Sequence, residues 1–118
     1  MEKFHDKLKT KIDKYIHFVY KISRNFPKDE LYGITSQLRR ASVSVMLNYI
    51  EGFARRKTKV NLNFLETSYG SLKETKYLLH FSLKENYLTD AEYEKGMGLA
   101  EEIGAMLWRT IKSMEEKS

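Results

Sequence analysis

The sequence predicts an all-α fold, an antiparallel up-down-up-down four-helix bundle. Four segments repeat apolar residues at spacings of three and four, the period of one helix face. Strand-like alternation is not sustained anywhere in the chain. One proline and six glycines in 118 residues leave most of the chain available for regular structure. Short connections make consecutive helices antiparallel neighbours. One domain spanning residues 1–118 is expected, long enough for one modest core.

The first helix is marked by Leu8, Ile12, Tyr15, Ile16, Val19 and Ile22. It is expected to end near Asn25, because Phe26-Pro27 disfavours helix continuation. Pro27 suits the opening of the second helix, where Asp29 and Glu30 complement the positive end of the dipole. Leu31, Ile34, Leu38, Ala41, Val45, Asn48 and Gly52 then form a heptad-like core stripe, and Tyr32–Lys57 reads as one long helix with a basic end. Thr58 is the expected N-cap of the third helix. That helix carries Leu62, Leu65, Tyr69, Leu72, Lys76, Leu79 and Leu83, and closes at Asn86-Tyr87. Thr89-Asp90-Ala91-Glu92 has the form of a capping box opening the fourth helix, whose stripe is Met97, Ala100, Ile103, Leu107, Ile111 and Met114. A glycine inside a helix costs roughly 1 kcal/mol against alanine. Close helix–helix approach is expected to offset this at some of the glycines, while Gly33 reads as fraying near a helix start.

Composition narrows the class. Charged residues make up 31% and the apolar set 42%, a globular balance. Without cysteine there is neither a disulfide framework nor a cysteine–histidine zinc site. No run approaches the ~18 apolar residues of a membrane span, and the charged N-terminus lacks the apolar region of a secretory signal, so a cytoplasmic protein with no membrane partner is expected. The net charge of +5 is unevenly placed. Residues 1–28 hold eight Lys/Arg against three Asp/Glu; residues 39–59 hold six basic groups against Glu51 alone. The first zone reads as a solvated lysine-rich face, although both raise the prospect of nucleic acid.

The second helix is apolar on two sides. At about 100° per residue, Val43, Met46, Leu47, Ile50 and Ala54 fall opposite the core stripe, with Phe53 at their edge. A helix apolar all round must be buried all round. Three other helices can hardly cover both faces, so a homo-oligomer interface explains Val43, Met46, Leu47, Ile50, Phe53 and Ala54 better than a central position in a monomer. Tyr77, Leu78, Phe81 and Trp108 lie outside or beside their own core stripes and either join that interface or cover a core edge.

No constellation for catalysis stands out. The chain lacks a phosphate-binding glycine loop, G-x-S-x-G and H-E-x-x-H. Asp13 and His17, four apart, make two potential ligands and a weak metal case, and the di-iron chemistry of some bundles is not expected. A non-enzyme without cofactor or metal is the reading. Arg39, Arg40, Arg55, Arg56, Lys57 and Lys59 are the candidates for neutralising phosphates of RNA or DNA, by shape and charge more than by sequence. The competing account is inter-subunit ion pairing for Arg39 and Arg40, and dipole complementation with solubility for the others.

The centre of the chain resembles the bacterial 23S rRNA intervening-sequence protein family. The residues that carry the likeness are Phe26-Pro27, Tyr32-Gly33-Ile34-Thr35, Gln37-Leu38-Arg39-Arg40-Ala41, Ser44-Val45, Asn48, Glu51-Gly52 and Arg55-Arg56, with Gly70-Ser71-Leu72 and Glu74 in the third helix. Met46 stands where that family commonly has proline, and Ile50 where it has alanine. The resemblance implies an up-down bundle assembling as a homopentamer, with a role linked to ribosomal RNA. It also brings in relatives that serve diversity-generating retroelements, where the partner is a reverse transcriptase. A purely structural oligomer is the remaining alternative.

Overall fold

The computed structural model describes residues 2–117. Its long elements are α1 (Glu2–Ser23), α2 (Ile34–Ala54), α3 (Thr58–Lys84) and α4 (Asp90–Glu116), with a single 3-10 turn at Lys28–Glu30 and no strand among the described residues. Each helix packs on its sequence neighbours, and α4 closes the ring on α1. Every neighbouring pair is antiparallel: Val45 meets Ser68 while Gly52 meets Leu65, and Lys11 reaches Glu102 while Arg109 covers Phe4. The predicted four-helix bundle is therefore the fold, drawn out to 45 × 24 × 19 Å.

The core of α1 is as expected: Leu8, Ile12, Tyr15, Val19 and Ile22 are buried, with Ile16 half-buried against them. On α4, Ala100, Ile103, Leu107 and Ile111 are buried and Met97 and Met114 flank them. Tyr15 crosses the core, its hydroxyl donating to Thr75 Oγ1 at 2.7 Å, and burial pushes its phenol up to about 12.

The second helix is shorter than expected. Pro27 opens the 3-10 turn instead, and α2 begins only at Ile34. Leu31 consequently lies in the turn and is half exposed rather than buried. Gly33 is not a fraying point. Glu30 accepts the Ile34 N–H through Oε1 and the Tyr87 hydroxyl through Oε2 at 2.8 Å, and a Cβ at residue 33 would come within 2.6 Å of that Oε1. At the other end α2 stops at Ala54, so Arg55-Arg56-Lys57 form a connection, extended at Arg55 and Lys57, rather than a last helical turn. The N-cap of α3 is Lys57, with Thr58 its first residue. Asn48, placed on the core stripe by the heptad spacing, is only half-buried; Tyr49 takes the core position and joins His5 Nδ1 at 2.6 Å. A 3.6-residue helix drifts away from a strict seven-residue repeat, which rotates Tyr49 inward. On α3 the same drift buries Leu78 and leaves Tyr69 and Lys76 half-buried.

The seam between α2 and α3 is built from small residues. Ser44 opposes Ser71 and Gly52 admits Leu65; Ser68 Oγ donates to the Val45 carbonyl at 2.6 Å, and the Ser44 and Ser71 hydroxyls lie 2.8 Å apart. Helix ends are closed locally. Asn86, at φ 63°, terminates α3 in a left-handed residue, with Tyr87 N–H returning to the Ser82 carbonyl at 2.8 Å. The Thr89–Glu92 capping box forms as expected.

Two outcomes test this packing. At Gly52 an added Cβ would sit 3.1 Å from Leu65, whereas at Gly98 nothing lies within 4 Å. Gly52→Val should lower stability by about 1–3 kcal/mol and Gly98→Ala raise it by about 0.5–1 kcal/mol, both read from urea unfolding. Burial, assisted by Lys9, holds His5 below its ordinary 6.5. The folded chain thus favours neutral His5, so its contribution is complete above pH 6.5 and is lost as pH falls through the lower folded value. Urea titrations across that range should show a decline that His5→Asn removes.

Candidate nucleic-acid interface

The six cations singled out in the sequence fall into three environments. Arg39 turns back onto α1: its Nε donates to Ser23 Oγ at 2.8 Å and its guanidinium lies 4.8 Å from the centre of the Tyr20 ring. It is half-buried and clasps α2 to α1. Arg40, one residue on, points to the opposite flank and is exposed beside a shallow groove between α2 and α3 that includes Glu74 and Tyr77.

The third environment is the α2–α3 connection. Arg55 reaches back to Glu51 at 3.1 Å and lies 5.2 Å from the centre of the Phe64 ring. That pair is about half exposed, so it orients the guanidinium without contributing more than about 1 kcal/mol. Arg56, Lys57 and Lys59 are exposed, and none forms an ion pair among the described residues. Their placement bears on the dipole account of this charge. Dipole complementation suits Arg55, at the negative end of α2. It runs the wrong way for Lys57 and Lys59, which sit at the positive end of α3. That end has no side-chain cap and no acidic residue in its first turn. Three unpaired cations and the free N–H groups of a helix start therefore face solvent together. Arg40 stands apart from them, roughly 22 Å from Arg55 at 1.5 Å per residue along the helix.

Opposite the core, the second apolar stripe of α2 resolves into two groups. Leu47 is 57% exposed, Ile50 is 49% exposed, and Val43 and Ala54 flank them. Met46 instead packs against the core, and Phe53 leans on His5 at 4.4 Å and Tyr49 at 5.0 Å between ring centres. Tyr77 is 62% exposed on the neighbouring helix. Trp108 lies away from this face, its ring tilted against Tyr69 at 5.8 Å between centres on the α3–α4 side.

Sequence reasoning passed over two features. Phe64 supports Arg55 from α3, a relation between helices that no spacing within one helix can reveal. Lys14, Lys21 and Lys95 line one groove between α1 and α4, joining part of the N-terminal basic zone to a distant lysine. The exposed Asp13–His17 pair lies at 3.5 Å, and among the described residues no group of three or more metal-binding side chains converges. The one Glu-x-x-His of the sequence, Glu2 to His5, ends in a histidine already engaged by Tyr49. Among the described residues no helix is long and apolar enough to cross a membrane.

A family model described as 23S rRNA-intervening sequence protein matches residues 7–109. A crystal structure described as a protein with unknown function from the S23 ribosomal protein family of Bacteroides thetaiotaomicron superposes with a TM-score of 0.85. It shares 20% identity, and the alignment covers 92% of this chain and 98% of that one, so it bears on the fold alone. No curated protein matches the chain significantly.

The contrast between the adjacent arginines is measurable. Arg39→Ala should lower stability by about 1 kcal/mol through loss of the Ser23 bond and the Tyr20 stack. Arg40→Ala should stay within about 0.5 kcal/mol of wild type in the same urea experiment.

Proposed function

The chain belongs to the 23S rRNA-intervening sequence protein family, and on that basis we propose that it is a non-enzymatic homo-oligomer that binds structured nucleic acid. The observation that carries the proposal is the α2–α3 connection. There Arg56, Lys57 and Lys59 surround the uncapped start of α3 without a carboxylate to neutralise them. Such a site suits a phosphate on both counts, ionic and hydrogen-bonding. Arg55, held by Glu51 and Phe64, supplies an oriented guanidinium at the edge. The described residues offer no groove-reading motif, so the ligand is read through backbone shape and charge; the family description favours ribosomal RNA.

Assembly is the second half of the proposal. Leu47 and Ile50 form an apolar strip on a helix whose other sides already meet α1 and α3. A second copy is the partner that would cover it, and the family resemblance points to a pentamer. Repeating the basic connection around such a ring would raise affinity for an extended polyanion by multivalency without any new contact.

Binding of a 23S rRNA fragment should weaken steeply with salt. In the triple variant Arg56→Ala/Lys57→Ala/Lys59→Ala the slope of log K against log salt should flatten by about 0.7–0.9 for each phosphate contact removed. No measurable binding by the wild-type protein at low salt would sink the nucleic-acid reading. Sedimentation tests assembly separately: Leu47→Glu/Ile50→Glu should give folded monomers, and a wild-type monomer at micromolar concentration would refute the oligomer. Co-purification with a reverse transcriptase would point instead to the retroelement role.

A further inference from the structure

A cavity of about 250 Å³ lies at the end of the bundle where the start of α1 and the ends of α2 and α4 meet. Its apolar wall is Phe4, Phe53 and Met114. Its polar wall comes from one stripe of α4, where Arg109, Ser113 and Lys117 recur at every fourth residue and share a face. Among the described residues the lining contains two cations and no carboxylate. Among the described residues neither Arg109 nor Lys117 forms an ion pair. Arg109 is held instead by a ring, its guanidinium 5.1 Å from the centre of Phe4. His5 completes the wall and is fixed by Tyr49 at 2.6 Å, with burial keeping its imidazole neutral near pH 7.

We propose that this cavity binds a small apolar carboxylate, with the hydrocarbon body against Phe4, Phe53 and Met114 and the carboxylate on Arg109. Its size, below the roughly 300–1,000 Å³ of sites for drug-sized ligands, limits the ligand to a compact molecule. The charge of the wall selects an anion over a neutral or cationic ligand of the same shape. The planar guanidinium accepts a carboxylate through two parallel hydrogen bonds, and its seat on Phe4 preorganises it. Arg109 lies about two turns before the end of α4, so the negative pole of that helix, confined to the last turn, does not cancel its charge. Lys117 adds a second positive charge at the rim, and Ser113 a hydroxyl between the two. This site is independent of the nucleic-acid reading and lies on residues that the reading does not use.

Isothermal titration calorimetry of the full chain with 4-phenylbutyrate tests the proposal, with the uncharged 4-phenylbutyramide as control. One molecule per subunit should bind, and the amide should bind at least about tenfold more weakly. Arg109→Gln should bring the acid close to the amide while leaving amide binding unchanged. Ser113→Phe, which fills the cavity, should abolish both. Absence of saturable binding up to about 10 mM, equal affinity for acid and amide, or an unaffected Arg109→Gln would each overturn the proposal. If circular dichroism shows Arg109→Gln to be unfolded, Lys117→Gln replaces it, and a folded Lys117→Gln with undiminished preference for the acid would count against the site.

Discussion

The close approach of α2 and α3 is the constraint on which the rest of the molecule depends. Where the two helices come closest the side chains are small, and a serine hydroxyl of one helix bonds a backbone carbonyl of the other at 2.6 Å. Ala41, Ser44, Gly52, Ser68 and Ser71 line it. Two interhelical hydrogen bonds and the packing of Leu65 onto Gly52 hold it. With one flank of α2 committed to small residues and another to α1 through Leu38 and Tyr49, the bulky Leu47 and Ile50 remain outside. The exposed apolar strip is thus a geometric consequence of the seam.

The same arrangement sorts the charges. A helix flanked closely on one side and more loosely on the other has room for a long side chain on the looser side. Arg39 occupies that room by lying along Tyr20 and bonding Ser23, while Arg40 is turned to solvent. At the end of the seam the chain must reverse within Arg55, Arg56 and Lys57, which leaves the start of α3 uncapped and surrounded by cations. Such a concentration of like charge is destabilising by itself and has no compensating carboxylate among the described residues beyond Glu51. A phosphate would relieve it.

Most of the fold was legible because helix periodicity and end signals are local. The apolar stripes of α1 and α4 and the Thr89–Glu92 box depend on residues within a few positions of one another, and the structure reproduces them. The errors concentrate where a distant residue intervenes. Gly33 looked like a frayed start because its reason is the carboxylate of Glu30, itself held by Tyr87 from the α3–α4 connection. Asn48 and Tyr49 exchanged places because the seven-residue spacing matches a straight helix only approximately, and a hydrogen bond to His5 rewards the rotated position. In the candidate site the basic residues themselves were legible. Their division among clasp, ion pair and free charge was not, since Ser23, Tyr20 and Phe64 all come from other helices.

Residue order alone was enough for the four helices, their antiparallel course and the presence of a second apolar side on α2. Each follows from spacing along the chain and from the length of the connections. The identity of the residues that remain free on that side, and of the cations that remain unpaired, depended on how the helices rotate against one another. Rotation is set by the close seam and by contacts such as Arg39 with Ser23 and Tyr49 with His5, which join residues far apart in the chain. A periodic pattern defines a face only to within a residue or so, and that margin separates Met46, packed on the core, from Leu47 and Ile50, left in solvent.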